Sequence, residues 1–313
     1  MKTAVVTGGA GFIGSHLCEA LLEKKMRVIC VDNFATGARE NIAHLKRNPD
    51  FSLLEQDITI PFEIEGRVDF VFNLASPASP KDFAKMPVEI MLVNSIGTKN
   101  MLGIALAKKA RFLEASTSEV YGQPLEHPQK ETYWGNVNSI GMRSCYDEGK
   151  RFSEALAMAF ARNKGVDVRI ARIFNTYGPR MRLDDGRVTP NFITQALAEK
   201  PLTVYGDGKQ TRSFCFVSDL VAGLMKLMES NYSGPVNIGN PQEITVKQFA
   251  EAVLRISKSK SVLSFKKLPQ DDPERRKPDI SLAKKELGWE PKVSLEEGLC
   301  KTVEFFKARL VFS

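Results

Sequence analysis

A short apolar strand that runs straight into three evenly spaced glycines leaves few folds open. Lys2 to Gly8 reads KTAVVTG, and the loop from Thr7 to Gly14 reads TGGAGFIG, with glycines at Gly8, Gly11 and Gly14. Between a strand and a helix this spacing has a physical logic. The first glycine permits a tight turn, the second lets a dinucleotide pyrophosphate approach the backbone, and the third lets helix and strand pack closely. The helix expected from about Phe12 to Lys25 would meet phosphate charge with its N-terminal amides. Taken alone the loop is weak evidence. Asp32 strengthens it: it closes the second expected strand, RVICVD from Arg27 to Asp32, where a carboxylate accepts both ribose hydroxyls. The same carboxylate repels a 2′-phosphate, so NAD is favoured over NADP. Asp57 ends a third strand, Phe51 to Asp57, where an adenine contact falls, but an N-cap for a short helix explains it equally well.

The rest of the first half repeats the rhythm. Val68 to Ser76, Arg111 to Thr117 and Val166 to Asn175 are β-branched or apolar runs separated by helical patterns, which predicts a parallel sheet covered on both faces. Beyond Asn175 the strands shorten, at Leu202 to Gly206 and Val262 to Leu268. Helices are expected at Asn191 to Lys200, Ser218 to Ser230, Val246 to Lys258 and Ser294 to Lys307. The fold class is therefore α/β, a doubly wound parallel sheet with a smaller mixed C-terminal region. Residues 1–175 form the dinucleotide-binding part and 176–313 mainly the substrate part. About 213–240 return to the sheet, because Pro235 to Gly239 reads as one more strand.

Charge and cysteine content narrow the partners. The net charge of +7 comes from 44 basic and 37 acidic residues that are mostly dispersed. The one compact basic cluster, Pro273 to Asp279, sits among acids and prolines and reads as a local anion site rather than a nucleic-acid surface. Five scattered cysteines fit a reducing compartment without disulfides or a zinc site, and Cys145 reads as a buried bystander. No apolar leader and no membrane span is expected, so the chain is placed in the cytoplasm.

The chemistry sits in two stretches. STSEVYG, Ser116 to Gly122, follows the fifth strand and so emerges at the carboxyl edge of the sheet, where open parallel sheets place ligands. RSCYDEGKR, Arg143 to Arg151, puts Tyr146 and Lys150 four apart, on one face if the stretch is helix, although taken alone it reads equally well as a polar turn. A lysine ammonium one turn away favours a phenolate, which makes Tyr146 a usable base. Gly149 beside Lys150 makes room for a close approach.

A hydroxyl after that strand and Tyr-x-x-x-Lys on the next helix resemble the short-chain dehydrogenase/reductase superfamily, in its extended branch acting on nucleotide sugars. The blocks LASPASP (Leu74 to Pro80), ETYWGNVN (Glu131 to Asn138), RIFNTYGPRM (Arg172 to Met181), YGDGKQTRSFCFVSDL (Tyr205 to Leu220) and RRKPDI (Arg275 to Ile280) sharpen this. Over essentially the whole chain they are similar to the UDP-glucuronate decarboxylases, or UDP-xylose synthases. One departure is NSIGMR, Asn138 to Arg143, where the family usually has NPIGPR; Ser139 and Met142 free the backbone ahead of the catalytic helix.

The resemblance implies a Rossmann fold, a UDP-sugar substrate, recycled NAD and a residue-by-residue set of roles. Thr117, Ser118, Glu119, Tyr146, Lys150 and Arg276 are catalytic. Besides the three glycines, Asp32 and Asp57, the cofactor touches Phe12, Ile13, Asn33, Ile58 and Leu74, together with Tyr146 and Lys150. Asn175, Arg180, Asn191, Tyr205 and Arg212 bind the substrate nucleotide, and Arg276 meets the sugar carboxylate. Whether Glu119 strains the substrate, acts as a base, or orients water or Arg276 stays open. Superfamily members commonly dimerise through two long helices, here Val88 to Lys109 and Ser144 to Asn163, so a homodimer is implied. A nucleotide-sugar 4-epimerase or 4,6-dehydratase, and a silent NAD-binding sensor, are the alternatives. The intact Thr117, Tyr146 and Lys150 argue against the sensor.

Overall fold

Period-two alternation of apolar side chains builds two cores on one sheet. The structure, a computed structural model, describes residues 1–267 and 275–311. Seven parallel strands, β1 (Thr3–Thr7), β2 (Arg27–Asp32), β3 (Phe51–Glu55), β4 (Phe70–Asn73), β5 (Arg111–Thr117), β6 (Val168–Ile173) and β7 (Pro235–Ile238), lie in the order β7-β6-β5-β4-β1-β2-β3. Along β1, Ala4 and Val6 belong to one buried cluster and Val5 to the other. The Ala4 face is covered by α1 (Phe12–Glu23). The Val5 face is covered by α2 (Pro87–Lys108) and α3 (Ser144–Lys164), through residues such as Met101, Leu102 and Ala157. The strand order reverses between β1 and β4, and the crevice beyond the strand ends there is the general ligand site of such sheets.

The longer helices of the second half are α4 (Val188–Leu197), α5 (Val217–Glu229), α6 (Val246–Ser257) and α7 (Leu295–Val311), with a short helical stretch at Ser281–Leu287 before the last. Helix α6 starts with a capping box in which Thr245 and Gln248 exchange side-chain and backbone hydrogen bonds. The strand expected at Pro235 to Gly239 is β7, paired with β6 from Pro235↔Ile170 to Ile238↔Ile173. Beside the main sheet, Leu202–Tyr205 pairs with Leu263–Lys266, and Thr211–Ser213 is flanked by Glu243–Thr245 and Arg275–Arg276. Leu268, the last residue of an expected strand, and Pro273 and Glu274 of the basic cluster lie outside the described residues.

Two boundaries differ from expectation for visible reasons. The fourth strand stops at Asn73 because the Thr7 hydroxyl accepts the Leu74 and Ala75 amides, at 3.0 and 3.1 Å, and draws the chain off the sheet. Beyond β3, Asp57 accepts both the amide and the hydroxyl of Thr59, at 2.8 and 2.7 Å, and so closes a turn. It caps no helix. Helix α2 is also long and apolar enough, by length and composition, to cross a bilayer, although no such segment was expected from the sequence. It lies along α3 in this fold.

Candidate active site

One cavity of about 740 Å³ opens at the carboxyl edge of the sheet, and Gly8, Asp32, Thr117, Tyr146, Arg212 and Arg276 all line it. At its cofactor end Gly8 has φ +65°, a conformation that favours glycine. A Cβ on Gly14 would collide with the Gly8 carbonyl, so the glycine is what lets α1 sit against the end of β1. No side chain caps the first turn of α1, whose amides face the loop. Asp32 is buried, and its two oxygens accept the Ala10 and Phe34 amides at 2.9 and 2.8 Å. Each oxygen keeps a lone pair for a ribose hydroxyl. Burial raises its pKa, against the pull of those two amides. Phe12, Ile13, Asn33, Asp57, Ile58 and Leu74 line the same end, with Asn33 donating to Asp57 at 3.0 Å. The glycine cradle and this acidic acceptor fit NAD.

Helix α3 carries Tyr146 and Lys150 one turn apart, but their electrostatics differ from the sequence expectation. Lys150 is buried and bonded to Glu114 of β5 at 3.2 Å; Ser153 and Asn73 donate to the same carboxylate at 3.0 and 2.7 Å. A buried ion pair is tolerated only when its remaining lone pairs are satisfied, and here they are. Glu114 therefore absorbs the charge that was expected to act on the phenol. Tyr146, stacked on Phe83 with ring centroids 5.1 Å apart, is pushed up to about 12 by burial; its hydrogen bond with Thr117 and the charge of Arg187 pull the other way. Gly149 does serve close approach: an added Cβ would lie 3.3 Å from the Asn94 Cβ on α2.

The third part of the site is ionic. Thr117, at the end of β5, accepts the Glu119 amide at 3.2 Å and starts the turn Ser118–Tyr121, in which Ser118 is buried. Glu119 is clasped by two guanidiniums, Arg276 and Arg143, the latter at 2.8 Å. Although burial opposes it, these two charges hold the carboxyl down to about 2. Of the roles left open for Glu119, orienting Arg276 is the one this geometry displays. Arg276 also donates to the Gly122 carbonyl at 2.9 Å, while its buried Nε has no hydrogen-bond partner among the described residues. Arg276 and Arg212 are register partners in adjacent parallel strands, so both side chains leave the sheet on one face, into the cavity.

The remaining substrate residues, Asn175, Arg180, Asn191 and Tyr205, all line the cavity, with Asn191 donating to the Gly186 carbonyl at 2.8 Å and Tyr205 exposed at the rim. Arg180 donates to Glu19 on α1 at 2.7 Å, and its other terminal nitrogen is buried without a hydrogen-bond partner among the described residues. Cys145 is buried, and burial raises its thiol pKa. Glu114, Arg143 and Arg187 were missed. Glu114 had left a signal, a lone carboxylate in the apolar strand RFLEAST, whereas Arg143 had only its place ahead of the helix.

A dinucleotide cradle at the switch point, with hydroxyl, tyrosine and lysine converging beyond β5, defines an extended short-chain dehydrogenase/reductase. Residues 5–302 match the family model described as GDP-mannose 4,6 dehydratase. UDP-glucuronic acid decarboxylase 1 of Arabidopsis thaliana is 57% identical over 98% of the chain and 70% of its own length, and its Xenopus tropicalis counterpart is 54% identical over 99% and 73%. The UDP-glucuronic acid 4-epimerase of Bacillus cereus, solved with UDP-glucuronic acid and NAD, superposes with a TM-score of 0.88 at 30% identity, covering 98% of this chain and 99% of that one. The chain belongs to the UDP-glucuronic acid decarboxylase family.

Proposed function

We propose that this protein converts UDP-glucuronate to UDP-xylose and carbon dioxide, oxidising carbon 4 of the sugar transiently and restoring it afterwards. The observation that carries this reading is Arg276, whose unpartnered Nε is buried in the cavity that Thr117 and Tyr146 also line. A cation so placed suits a sugar carboxylate at one ring carbon from the hydroxyl being oxidised. Bound NAD, held by the glycine loop, Asp32 and Lys150, supplies the oxidant for carbon 4 and then the reductant.

Tyr146 takes the proton from the carbon-4 hydroxyl and returns it at the end. Thr117 orients that oxygen through its own hydroxyl. Because burial holds Tyr146 high, the phenol gives up its proton only when further positive charge enters the cavity. Oxidation turns the carboxylate into that of a β-keto acid, which loses carbon dioxide and leaves an enolate. Arg276 and Arg143 stand ready to stabilise that charge, and Glu119 keeps the two guanidiniums fixed before reaction begins. Arg212 faces the diphosphate end, where its planar fork matches phosphate oxygens.

We further propose a symmetric homodimer through α2 and α3. Val88, Met91, Leu92 and Ile96 form an exposed apolar stripe at helical spacing on α2, and Phe152 is exposed on α3. The test of the reaction is incubation with UDP-glucuronate followed by NMR of the product. UDP-xylose supports the proposal. UDP-galacturonate, with its carboxylate intact, would make the protein an epimerase.

A further inference from the structure

Glu114 is fully buried in an apolar strand and does not line the cavity, whereas Lys150 does. Period-two alternation puts it on the face of Phe112, beneath α2 and α3. A carboxylate is tolerated there only when its oxygens are satisfied, and these are. Its Oε1 accepts the Lys150 Nζ at 3.2 Å and the Ser153 hydroxyl at 3.0 Å, and its Oε2 accepts the Asn73 amide at 2.7 Å. Asn73 in turn accepts the Thr7 hydroxyl at 2.9 Å, which ties the carboxylate to the end of β1 and the glycine loop. The facing groups on β4 and α2, Asn73 and Thr98, are neutral. On α3 the ionisable residues within a turn of Lys150 are Tyr146, Asp147, Glu148, Arg151 and Glu154. Of these, Arg151 pairs with Glu148 at 3.4 Å and Glu154 with Arg172 at 2.8 Å. Glu114 is the counter-ion of Lys150, and the reaction as described gives it no role.

A nicotinamide ring is cationic when oxidised and neutral when reduced. A bare ammonium beside it therefore favours the reduced form, by roughly tenfold or more in a site of low dielectric. A carboxylate in contact with the ammonium cancels that bias. We propose that Glu114 is a positioning residue that holds Lys150 at the cofactor and offsets its charge, so that the resting protein keeps NAD oxidised. The inference rests on the reading of Lys150 as the partner of the nicotinamide ribose. Lys150 uses one donor on Glu114, which leaves its others for the ribose hydroxyls. The bias matters for this reaction in particular. Hydride passes from carbon 4 to the cofactor and must return to the same carbon after carbon dioxide has left. A site that favoured the reduced cofactor would leave the sugar as a ketone.

The test is calorimetric titration of the nucleotide-free protein with NAD and with NADH, read as the ratio of the two dissociation constants. Titrations run at about pH 6, where an unpaired amine keeps its proton, and at about pH 8, where an unpaired carboxylate stays ionised. Glu114→Gln preserves the shape of the side chain and is expected to shift the ratio toward NADH by roughly tenfold at the lower pH. Lys150→Met is expected to shift it toward NAD at the higher pH, and to weaken both nucleotides through the lost ribose contact. The double variant carries neither charge and is expected to return the ratio to that of the parent. A ratio left unchanged by Glu114→Gln at both pH values overturns the proposal, and a lowered thermal midpoint alongside it assigns Glu114 to packing alone. So does a ratio unmoved in Lys150→Met while both nucleotides weaken. A shift that persists in the double variant also overturns it, because it cannot come from the ammonium. Lys150→Met with both constants unchanged overturns the placement of Lys150 at the cofactor instead, which keeps the two failures apart.

Discussion

Tyr146 and Lys150 stand one turn apart as their spacing required, yet the lysine is tied to Glu114 rather than left to act on the phenol. Tyr146→Phe keeps the ring stacked on Phe83, so kcat should fall by roughly 10²–10⁴-fold with the thermal midpoint little changed. Glu114→Ala strands a buried ammonium, and the cost should be about 3–5 kcal/mol in denaturant unfolding. An unchanged midpoint would show that Lys150 finds another partner. The carboxylates at the other end give opposite pH signatures. Glu119, held down to about 2 from 4.5, contributes stability that is present above the upper value and lost as pH falls through the lower one. Asp147, raised from 3.8 to about 7, is destabilising once pH exceeds the lower value, increasingly so up to the upper one. Asp147→Asn should therefore gain stability over the parent between those values, seen as thermal midpoints that diverge with rising pH. Parallel midpoints would contradict the buried placement of that carboxylate. At this scale the sequence displays what is local. The four-residue spacing and the glycines could be read directly. The clasp of Arg143 and Arg276 on Glu119 could not, because it joins a loop, a turn and a distant strand.

Elements were legible where side-chain period and punctuation agree. Strands β2 and β5 fall at their expected bounds because each is a largely buried run that opens on an exposed or half-buried arginine and ends on a polar residue with work at the sheet edge. The chain after β4 was misjudged because the bond that ends the strand comes from Thr7, far away in sequence. The close seat of α1 depends on Gly14, and Gly14→Ala should cost about 1–3 kcal/mol by overpacking while sharply weakening NAD binding, read by fluorescence titration. Helices α2 and α3 bear the proposed dimer. A Met91→Glu, Phe152→Glu double variant should sediment as a monomer, whereas an unchanged dimer would move the interface elsewhere.

For the whole molecule, function depends on bringing the carboxyl edge of a seven-stranded sheet against a second region that supplies cations. The parallel sheet and its switch point follow from the alternation of strands and helices. The approach of Arg212 and Arg276 does not, since it rests on the register between two short strands whose residues lie more than sixty positions apart in the chain. The basic cluster Pro273 to Asp279, read as a local anion site, and the similarity of RRKPDI to the decarboxylase family both indicated Arg276 in advance. Carbon 4 must be oxidised and reduced within one binding event, around a decarboxylation. Supplying UDP-glucuronate with deuterium at carbon 4 and following the product by NMR and mass spectrometry tests this most directly. The expected products are carbon dioxide and UDP-xylose that keeps its deuterium at carbon 4, which is what hydride return within one binding event requires. UDP-xylose stripped of the label, or a labelled product with the carboxylate still in place, would contradict it.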